Sequence, residues 1–224
     1  MSATAIVRLA GVSKSFRSPT ELTPVLAGVN LTIVPGQKTS LVGPSGSGKS
    51  TLMSLIAGLL QPTTGTVEID GIDVSGLDDA ARARLRANRI GIALQSDNLI
   101  PFLTASENVQ LAMAFVPGGS RKASKARAED LLDRFGVGSR ARHRPRQLSG
   151  GEAQRVALAV AMANGPTLLL ADEVVGQLDS RTASQVIDDV MAGDFAVLFV
   201  THDMALADRA DHRYAIQNGS VCPR

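Results

Sequence analysis

The chain has 224 residues, of which 44% are hydrophobic and 20% are charged, and its formal net charge at pH 7 is +2. This composition is typical of one globular domain with a substantial core, and it excludes a largely disordered chain. The charges are nearly balanced, and aromatic residues make up 3% of the chain with no Trp, so we expect no nucleic-acid partner.

The single cysteine, Cys222, excludes a disulfide within the chain. No apolar run reaches the roughly 18 residues that a membrane-spanning helix needs. The N-terminus lacks the charged and apolar regions of a signal peptide. We therefore expect a cytoplasmic protein, and any work at a membrane would require another subunit to carry the spans.

Hydrophobic periodicity and turn residues predict an α/β chain. A loop from Ser18 to Pro24 is expected between the first two strands, and Asp70-Gly71 is typical of a tight hairpin. Before residue 96 we predict helices at about 49–58 and 78–88, and strands at 6–9, 25–34, 38–42, 66–71 and 90–94.

After residue 96 the pattern becomes mainly helical, and buried strands return from residue 167. We expect a lobe at about 96–164 to be inserted into an α/β core formed by about 1–95 and 165–224. The predicted elements are an apolar loop at 99–103, helices at 106–115, 122–135, 181–191 and 204–210, strands at 167–171 and 196–200, and a hairpin at 213–221.

Residues 43–51 read GPSGSGKST between a predicted strand and a predicted helix, which is the spacing of a phosphate-binding loop. The glycines allow close approach to a polyphosphate, and the helix start adds N–H groups. Lys49 can reach the β- and γ-phosphates, and the Ser50 hydroxyl can bind Mg²⁺. A plain Gly/Ser turn would need no lysine at this offset. The pattern therefore indicates a nucleotide site formed by Gly43, Ser45, Gly46, Ser47, Gly48, Lys49, Ser50 and Thr51.

Asp172 and Glu173 follow the predicted strand at 167–171, and ligands bind beyond the carboxyl ends of parallel strands. Asp172 can hold the Mg²⁺ shell through water, and Glu173 can orient or deprotonate an attacking water. Two acids after a strand are often only a solvated turn. Together with the upstream lysine loop, they become candidates for catalysis.

The segment Leu148-Ser149-Gly150-Gly151-Glu152 precedes a predicted helix. Ser149 and Glu152 form a capping box, which would explain these two residues on structural grounds alone. It does not explain the paired glycines, whose N–H groups at a helix start would form a second anion site. Two copies of the chain that face each other would be one way to use both anion sites.

The segments GPSGSGKST, LSGGE and LLLADE, followed by His202, resemble the nucleotide-binding subunit of ABC (ATP-binding cassette) transporters from Phe16 to about Gly219. The resemblance implies an α/β P-loop NTPase core with a mainly parallel sheet, an antiparallel β subdomain and an inserted helical subdomain. It also implies that the cofactors are ATP and Mg²⁺.

By this resemblance, Phe16 stacks on adenine, although a core position is the usual place for a Phe in a strand. Gln95 reaches Mg²⁺ and the attacking water. Asp179 lies across a dimer interface, where Ser149 and the paired glycines meet the opposite nucleotide. His202 contacts the γ-phosphate, although a lone histidine is more often structural.

The resemblance further implies an ATPase that works as a homodimer, or with a related ATPase chain, in a head-to-tail sandwich. It would lie on the inner face of the membrane and drive a transmembrane permease subunit. Residues 91–109 are similar to the branch for macrolide export and lipoprotein release, where the apolar loop at 99–103 would receive a cytoplasmic helix of the permease. A core position for this loop is the alternative.

The sequence departs from the family pattern in two places. Val174 and Val175 replace the usual proline and threonine after the catalytic acid, and Val160 stands where an arginine is common. The first change is compatible with slow hydrolysis or with pairing to a different ATPase chain. The alternatives to a transporter subunit are a soluble ABC ATPase without a permease and a slow nucleotide-sensing module.

Overall fold

The computed structural model describes residues 5–19, 21–93, 99–116, 118, 120–172 and 180–224. The chain forms two compact units, which are Met1–Arg86 with Asp194–Arg224, and Ala87–Gly193. The predicted subdomain boundaries near residues 95 and 165 differ from these limits and stay a prediction. No helix in the described residues is long and apolar enough to cross a membrane.

The first unit contains an antiparallel sheet in the order β2-β1-β4-β5. The strands are β1 (Val7–Arg17), β2 (Leu22–Ile33), β4 (Thr64–Ile69) and β5 (Ile72–Asp73). The predicted loop between the first two strands is shorter than expected, because β1 ends at Arg17 and β2 begins at Leu22; its predicted extension to Pro24 is wrong, since Pro24 lies within β2 and is paired with Ser15. Proline is tolerated there because β2 is an edge strand, so its missing N–H breaks no ladder on the open side. Asp70 and Gly71 both have positive φ, which confirms the predicted hairpin.

The first unit also contains four strands in the order β10-β9-β3-β8. β3 is parallel to both of its neighbours and buried at all five positions. Asn218 and Gly219 both have positive φ at the turn between β9 and β10, as predicted. The elements are β3 (Lys38–Val42), β8 (Ala196–Val200), β9 (His212–Gln217), β10 (Ser220–Pro223), α1 (Lys49–Ile56) and α7 (Met204–Ala207).

The second unit contains two parallel strands, β6 (Ile90–Ala93) and β7 (Leu168–Asp172). The backbone of α5 passes close over β6 at Gly91, where a Cβ would lie 2.5 Å from the carbonyl oxygen of Ala161. Buried side chains such as Val109, Leu132 and Leu158 form its core. Its helices are α3 (Ala105–Ala114), α4 (Arg121–Arg134), α5 (Gly150–Ala161) and α6 (Ser180–Met191), while α2 (Asp79–Arg89) spans the boundary between the units.

Candidate nucleotide site

The phosphate loop connects β3 to α1 and leaves the start of α1 without a side-chain cap. Gly48 occupies the N-cap position with φ of +105°, and no side chain accepts a hydrogen bond from the first turn. By contrast, side chains cap α3, α4 and α5, through Thr104, Ser120 and Ser149. The first N–H groups of a helix need acceptors from outside it. An anion is the natural acceptor at α1.

Two side chains inside the loop fit a polyphosphate. Lys49 is only 8% exposed, and its Nζ donates 2.8 Å hydrogen bonds to the carbonyl oxygens of Gly43 and Pro44. The Ser47 hydroxyl is buried, and within the described residues it has no hydrogen-bond partner. A buried polar group without a partner costs about 1–3 kcal/mol. A phosphate oxygen entering the loop would give this hydroxyl the acceptor that it lacks.

Two positions of the phosphate loop require glycine. A Cβ on Gly43 would lie 2.5 Å from the carbonyl oxygen of Ile216 in β9. A Cβ on Gly48 would lie 2.9 Å from Leu26 Cδ2 in β2. At Gly43 the backbone carbonyl of β9 leaves no room for a Cβ, while at Gly48 the φ of +105° is the stronger reason for glycine, because the Leu26 side chain could move.

The structure places Phe16 on the surface of the same unit, with 42% of the residue exposed. The alternative of a core position is therefore wrong. Lys14 Nζ lies 5.1 Å from the centroid of the Phe16 ring. Lys14 is paired in the sheet with Leu26, whose side chain is next to Gly48. The exposed Phe16 ring is therefore two residues along β1 from Lys14, whose partner in β2 lies next to the phosphate loop.

The structure brings His202 close to the first glycine of the phosphate loop. His202 follows β8 and is exposed. It lines a pocket of about 400 Å³ together with Gly43, Thr201 and Gln217. Asp203 caps α7 by accepting hydrogen bonds from the N–H groups of Ala205 and Leu206.

The second unit carries the LSGGE segment at the start of α5, and the predicted capping box is present. Ser149 Oγ accepts from the Glu152 N–H at 3.3 Å, and Glu152 Oε2 accepts from the Ser149 N–H at 2.8 Å. The N–H groups of Gly150 and Gly151 are bonded to no acceptor in the described part of the chain. The capping box therefore leaves these two amides available to an outside anion.

Glu152 is strongly stabilised as a carboxylate. The Ser149 backbone N–H and then the Arg140 side chain lower the pKa of Glu152 from its ordinary value of 4.5 to about 2. Arg140 was not among the residues predicted from the sequence. The four arginines at alternate positions 140–146, just before an acidic capping box, were the only signal that could have indicated it.

The predicted magnesium ligands are a hydroxyl, an amide and a carboxylate, and Mg²⁺ prefers such hard oxygen donors. Ser50 lies in the first turn of α1 and is exposed, and Asp172 ends β7 and is partly exposed. The side chains of Ser50 and Asp172 are therefore of the chemical type that binds Mg²⁺. Gln95, Glu173 and Asp179 lie outside the described residues, so their predicted roles stay predictions.

Comparison with protein families agrees with these features. Residues 26–176 match the family model described as ABC transporter. The chain is 43% identical over 223 residues to the lipoprotein-releasing system ATP-binding protein LolD of Anaeromyxobacter dehalogenans, covering 98% of this chain and 93% of the relative. It is 42% identical to the macrolide export ATP-binding/permease protein MacB of Marinobacter nauticus, covering 99% of this chain but 35% of that longer protein.

The fold is that of a solved ATP-binding cassette. A dimeric structure of the cassette MJ0796 in a post-hydrolysis state, bound to ADP and Pi, matches with a TM-score of 0.92 and 38% identity over 97% of each chain. This match confirms the α/β P-loop NTPase fold that was predicted from the sequence.

Proposed function

This chain belongs to the ABC transporter family and is an ATPase of that family, and from this premise we propose that it closes head to tail with a second ATPase chain around two Mg-ATP molecules. ATP-driven closure would transmit force to a separate permease subunit. The observation that carries the proposal is the buried Ser47 hydroxyl, which has no hydrogen-bond partner among the described residues and lies beside Lys49 in a loop at an uncapped helix start.

In this proposal the phosphate loop holds the triphosphate, and Phe16 stacks on the adenine. Lys49 would exchange its two carbonyl partners for β- and γ-phosphate oxygens, with which a cation makes stronger hydrogen bonds. Bonds from the loop N–H groups and hydroxyls would surround the phosphates. The residues that supply these groups are Ser45, Gly46, Ser47, Gly48, Ser50 and Thr51.

The start of α5 in one protomer would meet the γ-phosphate bound by the other. Within the part of the chain that the structure describes, the N–H groups of Gly150 and Gly151 are bonded to no acceptor, which supports this assignment together with the exposed position of Ser149. Asp179 would contact the same interface. The dimeric cassette MJ0796 has this fold, which supports a dimer here.

Hydrolysis would proceed by in-line attack of water on the γ-phosphorus, with cleavage of the bond to the β–γ bridging oxygen and departure of ADP. Glu173 would accept the proton of the water, and Gln95 and His202 would orient the water and the γ-phosphate. Bound Mg²⁺ would neutralise phosphate charge, and Ser50, Gln95 and Asp172 would hold it. The exposed position of His202 beside Gly43 supports its part in this arrangement.

The second partner in this proposal is a transmembrane permease, which would keep the ATPase on the inner face of the membrane. The names of the relatives, a lipoprotein-releasing ATP-binding protein and a macrolide export ATP-binding/permease protein, support export or extraction as the work performed. The apolar loop at 99–103 offers a docking surface, because Phe102 is 70% exposed. This exposure favours docking over the alternative of a core position.

The test is Glu173→Gln, examined by light scattering and by ATPase assay. We expect this variant to bind ATP, to lose most of its turnover and to accumulate as an ATP-bound dimer. Lys49→Ala is the matched control, which should bind ATP weakly and stay monomeric. Normal hydrolysis by Glu173→Gln would refute the assignment of the base. Assays of the wild type with and without the membrane subunit would distinguish a motor from a slow nucleotide sensor.

A further inference from the structure

We propose that Arg140 is a positioning residue for the nucleotide-binding start of α5. Its guanidinium holds and neutralises Glu152, so that this carboxylate closes the capping box without repelling the triphosphate of the facing protomer. This inference rests on the proposed function, since it assumes that the start of α5 receives a nucleotide.

The geometry gives each Glu152 oxygen a separate partner. Oε1 accepts from Arg140 Nε at 2.8 Å, and Oε2 accepts from the Ser149 N–H at 2.8 Å. The Glu152 side chain is 18% exposed, so this contact is partly shielded from solvent. Arg140 therefore fixes the rotamer in which Glu152 can reach back to Ser149.

A carboxylate in the first turn of a helix is favourable when the helix end is free, because it complements the positive end of the dipole. It becomes unfavourable when a polyphosphate must bind to the same N–H groups, since like charges repel. Glu152 is two residues from Gly150 and next to Gly151. The cation of Arg140, in contact with this carboxylate, offsets the repulsion while the cap remains closed.

The backbone around Arg140 is anchored to a second helix start, so the guanidinium is held in place. The carbonyl oxygens of Ala141 and His143 accept from the N–H groups of Ser106 and Ala105 at 2.9 and 2.8 Å. These two donors belong to the first turn of α3. The Arg140 side chain thus extends toward α5 from a segment that backbone hydrogen bonds hold against the start of α3.

The alternative is an ordinary surface ion pair, which would contribute little to any property. Arg140→Gln, Glu152→Gln and the double variant distinguish the two, each prepared in the Glu173→Gln background so that the ATP-bound dimer accumulates. Arg142→Gln is the matched control, because Arg142 is exposed in the same segment and is not bonded to Glu152. Arg140→Lys restores the charge.

The measurements are the dissociation constant of the dimer in ATP, the affinity of the monomer for ATP, and the unfolding temperature. We expect Arg140→Gln to weaken dimerisation by about ten- to thirtyfold, because a dimer closed around two ATP molecules loses a charge pair of up to about 1 kcal/mol at each of its two sites. The ATP affinity of the monomer should stay unchanged, because the phosphate loop lies in the other unit. Arg140→Lys should recover most of the loss, and Arg142→Gln should show none.

The double variant decides the mechanism. In the Glu152→Gln background there is no carboxylate to neutralise, so Arg140→Gln should have no further effect on dimerisation. An equal effect in both backgrounds, or dimerisation of Arg140→Gln like that of Arg142→Gln, would overturn the inference alone. If the parent protein does not dimerise in ATP, the proposed function fails and this inference fails with it.

Discussion

The substitution Ser47→Ala should change stability and nucleotide affinity in opposite directions. The Ser47 hydroxyl is buried without a partner in the described residues, so folding removes it from water without compensation. Such a group costs about 1–3 kcal/mol, and part of this returns when the oxygen is deleted. A gain of about 1 kcal/mol would raise the unfolding temperature of a chain of this size by about 2–4 °C.

The affinity for ATP should fall at the same time. A hydrogen bond from a hydroxyl to a charged phosphate contributes about 1.5–3 kcal/mol, which corresponds to a loss of about ten- to a hundredfold in affinity. Thermal unfolding without nucleotide and equilibrium titration with Mg-ATP measure the two effects separately.

Ser75→Ala is the matched control for this prediction. Its hydroxyl is also buried without a partner among the described residues, but it lies in a short 3-10 turn after β5, away from the phosphate loop. We expect similar stabilisation and unchanged ATP affinity. If Ser47→Ala lowers the unfolding temperature and binds ATP normally, the hydroxyl has a structural role and the reasoning is refuted.

Two further predictions concern the packing of the loop and the charge of the α5 cap. Gly43→Ala should destabilise the protein by about 1–3 kcal/mol in chemical denaturation, because the new Cβ would overlap the Ile216 carbonyl. Gly76→Ala, where a Cβ meets nothing within 4 Å, should change stability by less than about 0.5 kcal/mol. Because the pKa of Glu152 is lowered from 4.5 to about 2, its stabilising contribution is present above pH 4.5 and is lost as pH falls toward 2. The unfolding midpoint should therefore fall more in the wild type than in Glu152→Gln between pH 5 and pH 3, and equal declines would contradict this.

Features encoded by a few adjacent residues were predicted correctly. The S-x-x-E box at Ser149 and the turns at Asp70-Gly71 and Asn218-Gly219 form as expected, because their chemistry is contained in two to four neighbours. The spacing from Gly43 to Lys49 indicated a phosphate-binding loop, whose residue roles stay predictions, while the matching family model confirms the predicted family.

Features that depend on distant partners were not predicted. The placement of Pro24 inside a strand depends on β1 lying alongside it and on the position of β2 at the edge of the antiparallel sheet. The contact between Arg140 and Glu152 joins residues 12 apart through tertiary packing. That the Ser47 hydroxyl is buried without a partner among the described residues could not be predicted from the sequence either, because the burial of a single atom depends on the packing of all its neighbours.

The close contact between Ile216 and Gly43 has a consequence for biosynthesis. Ile216 of β9, which contacts the phosphate loop at Gly43, is 173 residues downstream of that glycine. The turn between β9 and β10 also contacts β2 beside Gly48, because the Ala27 N–H donates to the Gly219 carbonyl oxygen at 2.9 Å. A nascent chain that contains the phosphate loop but not residues 212–219 lacks the contact from Ile216 and the hydrogen bond that Gly219 makes to β2. Because these contacts join residues far apart in the sequence, we expect the loop to reach its folded form only after residues 212–219 have joined the first unit.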